Sequence, residues 1–191
     1  MKIRQKISYP LLTMLFVILL CFSYSSEAKS FISFSQNSDE EIKAERKFFD
    51  FLIGEWVIEK ADTPNGTELR SDDTFNFKRA VDGGGIVSEW YFNRGTKAQP
   101  DYARATYVSA FDNSTKTWSF YYVSEKSAQY WEGKKENGQW VFYKKFMVNG
   151  EELLQRQSWV AKDASTLLRK IENSKDGGKS WAVNVFTYKR K

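Results

Sequence analysis

From Gly54 onward the chain is a succession of short runs rich in Val, Thr, Tyr, Phe and Trp, split by Gly, Asn, Asp and Ser. That texture reads as strands. The connections carry hairpin chemistry: Asp112-Asn113-Ser114-Thr115, Glu136-Asn137-Gly138-Gln139, Val148-Asn149-Gly150-Glu151 and Lys175-Asp176-Gly177-Gly178. Asn-Gly and Asp-Gly supply the positive φ that tight hairpins need. The spacing predicts ten strands, over 55–60, 68–80, 85–92, 103–112, 116–124, 128–136, 139–148, 152–161, 166–173 and 181–190. No stretch after residue 55 reads as a crossover helix, so consecutive hairpins imply an antiparallel meander. Ten strands would leave open edges unless the sheet closes on itself. A single antiparallel barrel is the expected solution, with a two-sheet sandwich as the alternative.

Alternation along the strands supplies the core. Phe75 and Phe77 share one face of their strand, Trp118, Phe120 and Tyr122 share one face of theirs, and Trp140, Phe142 and Lys144 another. Trp181, Val183 and Val185 share a face of the last strand. Which face points inward stays open at this level, because a one-residue slip exchanges the two. Phe75, Phe77, Trp118, Phe120 and Tyr122 are the candidate ligand-lining residues.

Ahead of the strands the chain has two different textures. Lys2, Arg4 and Lys6 precede a twelve-residue apolar run, Leu11 to Phe22, and Ser26-Glu27-Ala28 offers small residues at a cleavage site. This is the layout of a secretory signal peptide over residues 1–28. The run is well short of the roughly 20 residues of a membrane-spanning helix. An uncleaved N-terminal anchor and a lipid anchor on Cys21 are the alternatives, and Leu19-Leu20 before the cysteine fits the second poorly. The expected product is exported, periplasmic or secreted, with no membrane span after cleavage near Ala28. Residues 29–37 read as a tether and 38–190 as the barrel domain. Within that domain Ser38 and Glu41 suit a capping box, and a short helix is predicted to about Phe51.

Composition closes several routes. The chain of 191 residues has no His and one Cys. That excludes a Ser-His-Asp triad, a Cys-His pair, a His-ligated haem and an internal disulfide. Cleavage near Ala28 would remove the cysteine and three bases with one acid, so the net charge falls from +5 to +3. Such a balance is a solubility statement and no nucleic-acid signature. Asp72-Asp73 and Asp39-Glu40-Glu41 lack the ligand spacing of a calcium loop, and no cofactor or metal is implied. Asn65-Gly66-Thr67 and Asn113-Ser114-Thr115 match the glycosylation acceptor and read equally as turns.

Three motifs stand out. Phe51-Leu52-Ile53-Gly54-Glu55-Trp56 enters the first strand, and Tyr188-Lys189-Arg190 ends the last. The pair resembles the closure device of lipocalin-like barrels, in which Gly turns into the strand, Trp plugs the base and a cation covers its ring. Gly54, Trp56 and Arg190 take those roles here, with Lys189 the other candidate cation. Ser174-Lys175-Asp176-Gly177-Gly178-Lys179-Ser180-Trp181 fits an Asp-box turn through Ser174, Asp176, Gly178 and Trp181. A single copy reads as a rigid hairpin, not as a sialidase. Asp82-Gly83-Gly84-Gly85 is followed by a strand rather than a helix, so it reads as a turn and not a phosphate cradle.

Over roughly residues 45–190 these motifs together resemble a family of small exported bacterial proteins of unknown function with a lipocalin-like barrel. The resemblance implies the fold and no activity. Related haem-binding barrels use a His ligand that this chain lacks.

The expected function is binding of a small apolar or aromatic ligand inside the barrel. One alternative is a His-free enzyme working with Glu89, Arg104, Tyr107 and Arg156 at the barrel mouth. Another is an interaction module using aromatic outer faces. The sequence leaves the oligomeric state open.

Overall fold

The structure is a computed structural model that describes residues 38–69, 72–80, 83–93 and 98–191. The leader and tether expected over 1–37 lie outside the described residues. Residues 45–191 form one compact unit, and of the chain before it residues 38–44 are described and helical.

Helix α1 covers residues 38–46 and ends earlier than the sequence suggests. A turn and a 3₁₀ segment, Asp50–Leu52, replace its expected last turn. Backbone bonds from Phe48 to Glu45, Asp50 to Lys47 and Leu52 to Phe49 all span three residues. This tighter winding swings Phe49, which is 2% exposed, into the apolar interior.

Eleven strands follow: β1 (Gly54–Thr63), β2 (Gly66–Leu69), β3 (Thr74–Arg79), β4 (Gly85–Asn93), β5 (Tyr102–Asp112), β6 (Thr117–Ser124), β7 (Ser127–Glu136), β8 (Gln139–Val148), β9 (Glu151–Asp163), β10 (Thr166–Ser174) and β11 (Ala182–Arg190). From β3 to β11 each strand pairs antiparallel with the next, β1 pairs with β3, and β11 returns to β1. The result is a closed antiparallel ten-stranded barrel of β1 and β3–β11, as the run of hairpins implied. One edge of β1 meets β11 over Trp56 to Asp62. Its other edge is shared, with Gly54–Val57 on β3 and Lys60–Thr63 on the extra strand β2.

The predicted strand 68–80 is therefore two strands. The acids Asp72 and Asp73 sit in the gap, where they serve as hydrogen-bond acceptors: Asp73 Oδ1 accepts the Asn93 N–H at 3.0 Å and Asp72 Oδ2 accepts from Asn93 Nδ2 at 3.2 Å. Strand interiors disfavour Asp, and here two in succession end one strand before the next begins.

Alternation is cleanest in β5, where Ala105, Tyr107, Ser109 and Phe111 are buried and the residues between them exposed. In β11 the inward parity belongs to Phe186 and Tyr188, so Val183 and Val185 take the other face. Tight turns fix the register: Asn137 and Asn149 take positive φ of 50° and 52° at the first position of their Asn-Gly turns.

Because every connection within the barrel joins antiparallel neighbours, alternate loops gather at opposite ends. The 3₁₀ segment and the β3–β4, β5–β6, β7–β8 and β9–β10 turns lie at one end. The β4–β5, β6–β7, β8–β9 and β10–β11 loops lie at the other.

Candidate functional site

The barrel interior divides into two halves. The half next to the 3₁₀ segment is filled. Phe49 packs edge-on to Trp118 at 5.2 Å between ring centres and against Phe142 at 5.7 Å. Trp56, Trp118, Trp159, Tyr107, Phe77 and Phe142 are all under 2% exposed. Three indoles at this end are satisfied, Trp56 donating to the Leu52 carbonyl at 2.7 Å, Trp118 to the Glu45 carbonyl at 3.1 Å and Trp140 to Glu45 Oε2 at 2.9 Å, while buried Trp159 Nε1 has no hydrogen-bond partner among the described residues. Glu45 also pairs with Lys135, and Arg79 with Asp50. The segment 45–52 is thus a stopper held by both packing and polar contacts.

Arg190 completes this end. Its guanidinium lies 4.3 Å from the Trp56 ring centre, and Nη1 donates to the Ile53 carbonyl at 2.8 Å and Nε to the Ala164 carbonyl at 3.0 Å. Trp56 and Arg190 are register partners in the β1–β11 seam. Gly54 has φ +128°, and a Cβ there would stand 2.3 Å from Arg190 Nη1. The neighbouring Lys189 turns instead to Thr166 Oγ1, at 2.9 Å.

The half toward the β4–β5 and β10–β11 loops is hollow. A cavity of about 300 Å³ opens there, at the lower end of the roughly 300–1,000 Å³ typical of small-molecule sites. Phe75, Trp90, Phe92, Phe120, Tyr122, Trp131, Phe186 and Tyr188 give it aromatic walls. Among them stand Gln129, Lys144, Gln155, Gln157 and Arg169, which is an unusual polar load for a barrel core.

The two cations are held by rings and amides. Lys144 Nζ is 4.5 Å from the ring centres of both Trp131 and Phe146 and donates to Gln129 Oε1. The Arg169 guanidinium lies 4.7 Å from the Trp90 ring centre and 5.0 Å from that of Trp159, and Nε and Nη2 both donate to Gln157 Oε1 at 2.9 and 2.8 Å. Neither forms an ion pair among the described residues. Burial, reinforced by the Arg169 charge, lowers the Lys144 ammonium from 10.5 to about 8. Asp73 also lines the cavity, with Oδ1 committed to the Asn93 N–H.

Three further donors in the cavity wall have no hydrogen-bond partner among the described residues: Trp90 Nε1, Trp131 Nε1 and Gln157 Nε2. Their residues are 6%, 3% and 1% exposed. Leaving such a group unpaired costs about 1–3 kcal/mol, so their concentration in one wall marks a place where stability has been given up.

The residues singled out in the sequence are distributed as follows. Phe75, Phe120 and Tyr122 line the cavity. Phe77 and Trp118 lie in the filled half, Phe77 against Tyr107 and Trp159, Trp118 against Phe49. Glu89 and Arg104 are exposed and line an open groove of about 660 Å³ on the outer face of the sheet. Tyr107 is inside, stacked between Trp90 at 5.2 Å and Phe120 at 4.4 Å, and burial pushes its hydroxyl well above the ordinary tyrosine range. Arg156 makes a two-point ion pair with Glu172 at 2.8 and 3.1 Å, with its guanidinium 4.1 Å from the Trp181 ring centre. These four polar residues do not share one cavity. In the β10–β11 turn, Asp176 accepts the N–H groups of Lys179 and Ser180 at 3.0 and 2.9 Å and the hydroxyls of Ser174 and Ser180. Those bonds hold its carboxyl well below the usual carboxylate range.

Sequence reasoning missed Arg169 and the glutamines, and gave Lys144 no role. A signal existed. Lys144 stands in step with Trp140 and Phe142, and Arg169 in step with Leu167 and Ile171. A cation in the apolar parity of a strand points into the core unless that strand is reversed.

Two comparisons were made, one with known protein families and one with curated proteins, and neither finds a match for this chain.

Proposed function

We propose that the protein binds a small ligand with an aromatic or apolar body in the hollow half of its barrel. The observation that carries this reading is the cavity of about 300 Å³ walled by aromatic rings in a fold whose other half is packed shut. A chain that only needed a core would fill both halves, since an unfilled apolar wall forfeits contact energy. The four ionisable residues of the enzyme alternative support it less, because Glu89 and Arg104 face outward while Tyr107 is sealed inside. The lipocalin-like family resemblance belongs to the same proposal, on the strength of the Gly54, Trp56 and Arg190 closure and the ten-stranded barrel. So does export on the leader with cleavage near Ala28, tested by the mass of the mature chain.

The binding test uses N-phenyl-1-naphthylamine, an uncharged two-ring fluorophore. Its emission should rise to saturation at one equivalent, with transfer from Trp90 and Trp131 beside it. A titration without saturation, or saturation unaffected by Phe92→Trp and Phe186→Trp, which narrow the cavity, would sink the reading.

A further inference from the structure

We infer that the ligand of this cavity is an anion: a flat aromatic or apolar body carrying an oxyanion, whose charged end lies between Lys144 and Arg169. This rests on the binding function proposed above and specifies its chemical class. The polar surplus of the cavity is one-sided. Lys144 and Arg169 bring positive charge with no ion-pair partner among the described residues. Trp90 Nε1, Trp131 Nε1 and Gln157 Nε2 bring N–H groups with nothing to donate to. The buried side-chain atoms without a partner on the residues that line the cavity are therefore all donors, and together they lack an acceptor with several lone pairs and a negative charge.

The two sets are also physically joined. Lys144 lies over the Trp131 ring and Arg169 over the Trp90 ring, so each cation sits on an indole whose N–H is unpaired. Gln157 spends its oxygen on Arg169 and keeps its amide donor free. Gln129 likewise gives its oxygen to Lys144. The glutamine oxygens thus steady the cations without neutralising them. Asp73, the carboxylate in the cavity wall, accepts the Asn93 N–H, and its single charge does not balance two cations. The aromatic walls accept the body of the ligand, and a carboxylate, sulfonate or phosphate head supplies the missing acceptor.

The test pairs two probes of one shape. 8-Anilinonaphthalene-1-sulfonate carries the anion and N-phenyl-1-naphthylamine lacks it. At pH 6.5 and low salt, the sulfonate should bind at least about tenfold more tightly, the scale of one charge-assisted hydrogen bond. Lys144→Met, which keeps the bulk of the side chain, should remove about tenfold of the sulfonate affinity while the uncharged probe still binds to saturation. That second reading certifies an intact cavity. Lys145→Met, on the exposed face of the same strand, should change neither. Equal affinity for the two probes overturns the anion assignment and leaves the binding function standing. So does a Lys144→Met protein that keeps its sulfonate affinity, or one that loses both probes together. Failure of both probes on the unaltered protein overturns the binding function and this inference with it.

Discussion

The two halves of the barrel interior use the same residue types for opposite ends. At the stoppered end, Trp56, Trp118 and Trp140 each place their N–H on an oxygen of residues 45–52, and aromatic rings fill the remaining space. At the hollow end, Trp90 and Trp131 keep unpaired N–H groups, and cations take the place of oxygens beside them. A satisfied indole with packed rings makes a core. An unsatisfied indole beside a desolvated cation, in an unfilled space, is the arrangement that the proposed binding would use. The difference lies in the partners, not in the aromatics.

The comparison breaks first, and hardest, at the stopper. Phe49→Ala removes a side chain 2% exposed that touches Trp118 and Phe142. It should destabilise the protein by about 3–5 kcal/mol, read from urea unfolding. Phe92→Ala, in the cavity wall, should cost less than about 1.5 kcal/mol, because a half-buried ring facing a void has fewer contacts to lose. Equal costs would mean that the two halves are packed alike.

The seam is the next place to press. Gly54→Ala would force a side chain into a φ of +128° and against Arg190 Nη1. The loss should be about 2–3 kcal/mol, since the guanidinium must leave either the Trp56 ring or the Ile53 carbonyl. Arg190→Lys should recover little, because an ammonium cannot lie flat on the ring and reach both Ile53 and Ala164. Thermal unfolding of the two single variants measures both expectations. A neutral Gly54→Ala would show that Arg190 moves aside without loss.

These two halves were not equally legible in the sequence. The barrel was legible because hairpin turns and period-two alternation are local signals, and Asn137-Gly138 or Asn149-Gly150 state their geometry outright. The split of 68–80 into β2 and β3 was not, because Asp72 and Asp73 act through Asn93, some twenty residues away. The early end of α1 escaped for a related reason: Phe49 leaves the helical track to reach Trp118, a partner on the sixth strand. The cavity was half legible. Phe75, Phe120 and Tyr122 announce themselves as aromatics on one face, but hollow and filled barrels share that pattern. What separates them is where Lys144 and Arg169 fall, and their significance needs the register of β7 to β10 before it can be seen.

The hollow half should also be the less stable of the two by a smaller amount that depends on pH. Lys144 titrates near 8 in the folded barrel against 10.5 unfolded. The unfolded chain therefore binds the proton more tightly, and stability attributable to this group rises as pH climbs from about 8 to about 10.5. Below 8 the folded protein carries the full penalty of a desolvated ammonium facing Arg169. The other ionisable groups in the cavity wall are Asp73, from the segment before β3, Tyr122 on β6 and Tyr188 on β11. Lys144→Met should accordingly stabilise the protein at pH 7 by about 1 kcal/mol, an allowance that includes screening of the partly solvated ammonium. The advantage should vanish by pH 10.5, as read from paired urea titrations of the two proteins. A Lys144→Met difference that stays constant across this range would place the ammonium in water, and the hollow half would then carry no electrostatic cost for an anion to relieve.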